Sequence, residues 1–176
     1  MATVRSKIER LLEKNVEYSR TYPGTFTLKQ LQAAPGPKVM LLTCLDPRCV
    51  PENFFGPGLF ASSFRNAGGR VTEDAIRSIT GLRALVGMKG VAVVHHTDCG
   101  VSHITAEEVR EFIKPGGPGA AVEVENIDYQ FFTEEGFEEA LKEDVRKLRA
   151  LKSLAGMEIY GFAMDTQTGL VREVTV

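Results

Sequence analysis

The chain has 176 residues, enough for one domain with a sizeable core. Hydrophobic residues make up 43% and charged residues 25%, the balance of a soluble globular protein, and no apolar run approaches the roughly 20 residues of a membrane helix. With 21 basic and 23 acidic residues the net charge is −2, which gives no reason to expect binding to nucleic acid or to an anionic membrane.

The first twenty residues mix Arg and Lys with Glu9, Glu13 and Glu17, unlike an acid-poor transit peptide or an apolar secretory signal. A cytoplasmic protein is expected. Residues 5–18 read as an amphipathic helix with Ile8, Leu11, Leu12 and Val16 on one face, ended by Tyr22-Pro23-Gly24. After Ala34-Pro35-Gly36-Pro37, residues Lys38 to Thr43 form a short apolar run typical of a buried strand. Pro47 and Pro51 make the next stretch a loop with at most a short helix at Glu52 to Phe55. Leu59 to Arg65 reads as a second strand, and Asn66-Ala67-Gly68-Gly69 as a tight loop.

Thr72 is placed to cap a helix running to about Met88 and stopped by Gly90, with Glu73 and Asp74 complementing its dipole. Val91 to His95 is the third strand. Thr105-Ala106-Glu107-Glu108 matches a capping box before a short helix. Pro115 to Gly119 is a loop, and the stretch to Phe132 fits no single element. Thr133 starts a helix with Phe137, Leu141, Val145 and Leu148 on one face. Met157 to Met164 is the fourth strand, and Thr168-Gly169 turns the chain into a last strand, Leu170 to Val176. Strands alternating with helices predict an α/β fold: a mostly parallel central β-sheet, flanking helices and an antiparallel C-terminal edge strand.

The chemistry concentrates in two segments, each just after an apolar run. One is Cys44-Leu45-Asp46-Pro47-Arg48 and the other is His95-His96-Thr97-Asp98-Cys99-Gly100. Three soft ligands, Cys44, His96 and Cys99, without a fourth, are the inventory of a catalytic zinc site with one open position. With 3 cysteines in no framework spacing, metal ligands or buried thiols are expected rather than disulfides. A Cys44–Cys49 disulfide would leave Cys99 alone and His96 without a role. In parallel sheets ligands bind beyond the carboxyl ends of strands. If the first and third strands are neighbours, the three ligands converge at one edge.

Cys44, Asp46 and Arg48, followed by His96, Cys99 and Gly100, resemble the two motifs of the β-class carbonic anhydrases, Cys-x-Asp-x-Arg and His-x-x-Cys-Gly. Val50-Pro51-Glu52, Arg65-Asn66-Ala67-Gly68 and the closing hairpin extend the likeness to most of the chain, which is similar to the compact members. The resemblance implies a single such domain over 1–176, with 1–24 a helical N-terminal arm, and one Zn2+ per chain on Cys44, His96 and Cys99. The activity implied is reversible hydration of carbon dioxide to bicarbonate and a proton by zinc-hydroxide attack. His95 competes with His96, but the family spacing selects His96, and successive strand residues face opposite sides. Two thiolates cancel the charge of zinc, so the pKa of its water is expected above the roughly 7 of a tri-histidine site.

The resemblance gives Asp46 and Arg48 the catalytic roles. Held by Arg48, Asp46 orients the nucleophile; swung onto zinc, it would block the site. Pro47 departs from the small residue usual there, and its bias toward extended backbone at Asp46 is expected to disfavour the blocked state. Gly100, Phe54 and Phe64 are the substrate-binding candidates, with Phe55 a further apolar wall residue. His103 is a candidate proton relay, though more simply a surface histidine, and Cys49 is a structural thiol. The glutamine common in the pocket of some members has no clear counterpart. At least a homodimer is implied, with the N-terminal helix a candidate for packing on the partner. Two other readings stand beside this one: a sister hydrolase acting on carbonyl sulfide or carbon disulfide, and a zinc- or bicarbonate-sensing module with little catalysis.

Overall fold

The computed structural model describes residues 3–57 and 61–176. These fall into two compact units divided between Ala34 and Pro35. The first holds helix α1 (Val4–Ser19) and the short helix α2 (Leu28–Ala33), both opened by capping boxes, at Thr3 with Ser6 and at Thr27 with Gln30. No residue of either helix is buried.

The second unit is built on a five-stranded sheet of β1 (Val39–Cys44), β2 (Ser62–Asn66), β3 (Gly90–His96), β4 (Glu158–Met164) and β5 (Val171–Val174), in the order β2-β1-β3-β4-β5. All pairings are parallel except β4 with β5, which is antiparallel, as the sequence pattern leads one to expect. Strand β3 is buried along its whole length and β1 along nearly all of its own, which is why both read as continuous apolar runs rather than alternating ones. Between the strands lie α3 (Pro51–Phe54), α4 (Glu73–Val86), α5 (Ala106–Ile113), α6 (Pro118–Glu125) and α7 (Phe137–Ala150).

Met40 and Leu42 of β1 and Val91 and Val93 of β3 share a core with Ala75 and Ile79 of α4 and Leu141, Val145 and Leu148 of α7. Helix α7 lies close on β4 because Gly161 has no side chain: a Cβ there would come within 3.0 Å of the Val145 side chain. Among the described residues no helix is long and apolar enough to cross a membrane.

Several boundaries differ from the sequence pattern for local reasons. Helix α4 stops at Gly87 rather than Gly90, because Gly87 takes the left-handed conformation, φ +70°, that closes a helix. Helix α7 begins at Phe137, not Thr133, since Thr133 closes a turn by accepting the Gly136 N–H on both its carbonyl and its hydroxyl. The stretch that fits no single element contains α6, started by Pro118 in its first turn. The strand expected from Leu59 is seen from Ser62; Leu59 and Phe60 lie outside the described residues.

Candidate metal centre

Strands β1 and β3 are parallel neighbours, with Thr43 in register with Val94. Their carboxyl ends therefore lie side by side, and Cys44 and His96 are the last residues of the two strands. A short loop returns Cys99 to the same place. The two sulfurs are 3.8 Å apart, and the ligand atoms of Cys44, His96 and Cys99 all lie within 4.8 Å of one another. All three side chains are buried. The Nδ1 of His96 is 2.9 Å from the Thr97 carbonyl, which places a proton on Nδ1 and turns Nε2 toward the sulfurs, where a metal ion would take the place of a second proton. That Nε2 is buried and has no hydrogen-bond partner. Buried polar atoms are rarely left so, and two thiols beside an unpartnered imidazole nitrogen make a donor set that could hold a soft or borderline dication such as zinc.

The charge pattern agrees. The hydrogen bond from Cys99 holds the Cys44 thiol down to about 4 against the effect of burial, and His96 and the backbone N–H groups of Asp46 and Gly68 add to it. The same hydrogen bond, with burial, pushes Cys99 far up. Burial opposes charge on His96, but the Cys44 and Cys49 sulfurs beside it raise it to about 10. The cluster thus stabilises positive charge at its centre.

Around this centre the first motif folds into a tight hook. The Asp46 Oδ1 accepts from the Arg48 backbone N–H at 2.8 Å and from Nε at 3.0 Å, while Oδ2 accepts from Nη2 at 2.7 Å. The Arg48 side chain, chiefly by these hydrogen bonds, lowers the Asp46 pKa to about 2. Arg48 also reaches the second motif, donating to the Asp98 carboxylate and carbonyl. Asp98 has φ +52°, a left-handed conformation uncommon outside glycine.

Three supporting groups carry roles that the motifs do not announce. Arg65 of β2 donates to the carbonyls of Cys44 at 2.9 Å and Asp46 at 2.6 Å, clamping the hook from below. Glu134 accepts from the Asp98 N–H at 2.8 Å and from the Ser102 hydroxyl at 2.9 Å. Asn66 brackets the glycine turn through the N–H and carbonyl of Arg70. In that turn Gly69 has φ +69°, and a Cβ would meet the Thr43 backbone at 3.0 Å, so β1 can lie against the turn only because no side chain intervenes.

His95 points away from the centre. It is fully buried, its Nε2 is 3.2 Å from Asp144, and its ring stacks on Phe132 at 5.4 Å. Asp144 also pairs with Arg70 at 2.7 Å and accepts the Val71 N–H. Phe54 packs against the cluster containing Cys44, Cys49 and Cys99, whereas Phe64 packs against the main core on β1 and β3. Gly100 follows Cys99 at an exposed position with open space at its α-carbon. Phe55 is exposed and stacks obliquely on Phe54. The exposed His103 lies 3.3 Å from the Asp98 carboxylate, and Cys49 is a buried free thiol.

No family model matches the chain. It is 27% identical over 169 residues to β-carbonic anhydrase 1 of Mycobacterium tuberculosis, covering 93% of this chain and 95% of that one. A solved carbonic anhydrase from Streptococcus mutans superposes with a TM-score of 0.81 at 32% identity, over 99% of this chain and 100% of that one. The chain belongs to the β-carbonic anhydrase family. A carbon disulfide hydrolase from Saccharolobus solfataricus is 37% identical over 94 residues, 52% of this chain. The match spans only 46% of that hydrolase, and 57% of a second from an Acidianus species. A solved carbon disulfide hydrolase also superposes over 96% of this chain and 90% of that one, with a TM-score of 0.66 at 27% identity, so both activities named within the family have relatives of nearly full length here.

Proposed function

We propose that this protein is a zinc-dependent carbonic anhydrase that reversibly hydrates carbon dioxide to bicarbonate and a proton. The observation that carries this reading is the convergence of two thiols and one unpartnered imidazole nitrogen within 4.8 Å, beside an Asp46 carboxylate fastened by Arg48. Cys44, His96 and Cys99 would hold one Zn2+ per chain. Bound there, zinc would supply a nucleophile near neutral pH by lowering the pKa of water.

The chain's own residues do the rest. Asp46 stays a carboxylate throughout the neutral range, so it acts as a fixed hydrogen-bond acceptor rather than a reservoir for the proton. Arg48 occupies both Asp46 oxygens from one side and leaves their remaining lone pairs to orient an attacking O–H. The same grip would hold Asp46 away from the metal position, and an extended backbone imposed by Pro47 would act in the same sense. Gly100 leaves room at the rim and Phe54 supplies apolar wall for a small linear substrate, while Phe64, packed in the main core, would serve the site only from behind the sheet. His103, exposed beside Asp98, would be the candidate relay to solvent.

The same reading makes the protein a single domain of this family, with 1–24 as a helical arm. Ile8, Leu11, Leu12 and Val16 of α1 are 46–60% exposed, an apolar face that needs a cover. A second copy of the chain is the partner proposed, giving a homodimer or a higher even assembly. The composition fits a cytoplasmic enzyme.

A second reading is favoured by one observation: the higher identity, 36–37% over 52–64% of the chain, to the carbon disulfide hydrolases. The same three ligands would then serve carbon disulfide or carbonyl sulfide. Stopped-flow hydration of CO2 against pH, on protein holding one zinc per chain, alongside sulfide release from both sulfur substrates, separates the two. Fast CO2 hydration with slow sulfide release is expected. Brisk sulfide release with poor hydration would overturn the first reading for the second, and inactivity toward all three would leave neither standing.

A further inference from the structure

The loop that carries Cys99 is held in shape by a residue from a third part of the chain. Asp98, one position before the ligand, sits at φ +52°. Few residues with a Cβ adopt that conformation, Asp among them, and the contacts around Asp98 hold it there. Arg48 and His103 grip the Asp98 side chain, and Arg48 also takes its carbonyl. None of these fixes the Asp98 N–H, which donates to Oε1 of Glu134 at 2.8 Å. The other Glu134 oxygen lies 2.9 Å from the Ser102 hydroxyl, on the far side of Cys99. Ser102 in turn donates its N–H to the Cys99 carbonyl at 2.9 Å. One carboxylate therefore spans the ligand, tied to the residue before it and to the turn after it.

We propose that Glu134 is a positioning residue for the metal centre, fixing the backbone from Asp98 to Ser102 so that the Cys99 sulfur stays 3.8 Å from that of Cys44. The proposal rests on the zinc reading above. Without Glu134 the Asp98 N–H loses its acceptor, and the residue relaxes toward ordinary backbone angles. That rotation carries Cys99 away from Cys44 and Asp98 away from Arg48. The centre would then hold zinc less tightly, and Asp46 would lose part of the support behind Arg48.

The test is zinc release to excess chelator from the zinc-loaded full chain, with thermal unfolding of the same samples. Glu134→Ala is expected to release zinc about 10- to 100-fold faster than the wild type. Glu134→Gln should stay within about threefold of it, because the amide oxygen still accepts the Asp98 N–H and the amide nitrogen donates to Ser102. Glu134→Asp keeps the charge but is one methylene too short to span both partners, so it should fall between the two. It decides the matter if the alanine variant does not fold. In CO2 hydration the alanine variant should lose kcat with KM nearly unchanged. Release from Glu134→Ala or Glu134→Asp at the wild-type rate would overturn the proposal. So would Glu134→Gln as fast as Glu134→Ala, which would mean that charge rather than bonding geometry matters. A wild-type chain that holds no zinc would overturn the zinc reading itself, whereas a zinc-holding wild type matched by Glu134→Ala would overturn only the role of Glu134.

Discussion

Arg48 and Asp98, fifty residues apart in the chain, are joined by two hydrogen bonds, Nη1 to Oδ2 at 2.6 Å and Nη2 to the carbonyl at 2.8 Å. Because Arg48 also holds Asp46, a single guanidinium buckles the segment bearing Cys44 to the segment bearing His96 and Cys99. Five donors in a planar fork permit this, and a lysine ammonium cannot reproduce it. Arg48→Lys is therefore expected to lower kcat/KM for CO2 by about 10- to 100-fold while zinc content stays near one per chain. Metal analysis beside stopped-flow kinetics checks both halves.

Asp46 offers a test with a pH sign. Arg48 depresses its pKa to about 2, from an ordinary value of 3.8. A carboxylate with a lowered folded-state pKa contributes stability that is fully present above its unfolded value and is lost as pH falls toward the folded one. The penalty of Asp46→Asn should thus be constant from pH 5 upward and shrink as pH drops from about 4 toward 2. In the activity profile, Asp46 should add no ionisation between pH 5 and 9. Asp46→Asn should lower the rate by a constant factor across that range, about 10- to 100-fold. A variant that instead shifts the midpoint of the profile would show Asp46 titrating during turnover.

The adjacent histidines should separate by phenotype. His96→Ala removes the unpartnered Nε2 of the centre, and zinc content should fall well below one per chain. His95→Ala instead leaves Asp144 short of one buried partner and opens a gap against Phe132. It should keep its zinc but lose about 2–3 kcal/mol of stability in denaturant unfolding.

How far the sequence carried this reading depends on how local each signal is. Cys44, Asp46 and Arg48 sit within five residues, and His96 and Cys99 within four, each set just after an apolar run. Both the residues that converge and their place at the carboxyl ends of β1 and β3 were therefore legible. The parallel sheet and its antiparallel edge followed from the alternation of runs. Glu134 and Arg65 were not legible as supports, because their partners lie 36 and 21 residues away and nothing in a lone Glu or Arg signals a distant carbonyl or N–H. Helix α6 was hidden by the Pro- and Gly-rich run before it, and its apolar residues cover no buried face. Thr133 mimicked an N-cap because the hydroxyl that caps helices also closes turns.

The exposed face of α1 predicts an assembly phenotype. Ile8 and Leu12 lie one turn apart on that face, 46% and 60% exposed. Replacing both by Glu should shift the protein from dimer or larger to monomer in size-exclusion chromatography with light scattering. The second unit, which holds the sheet and its core, should stay folded by circular dichroism. A double variant with the wild-type mass would remove the helix from the proposed interface.

Gly69 ties the fold to the centre and supplies the last prediction. Its φ of +69° excludes ordinary side chains at low cost, and a Cβ would press on the Thr43 backbone at 3.0 Å, with the Cys44 nitrogen at 3.1 Å. Gly69→Ala should therefore cost about 2–4 kcal/mol, part from the left-handed backbone and part from overpacking against β1. The strand most displaced is the one ending in Cys44, so metal retention should fall along with stability. Gly87→Ala is the control, since Gly87 shares the positive φ but a Cβ there meets nothing within 4 Å. It should lose only the backbone share, about 1 kcal/mol, and release zinc at the wild-type rate. Equal zinc release from the two variants would mean that the turn at Gly69 supports the sheet without bearing on the position of Cys44.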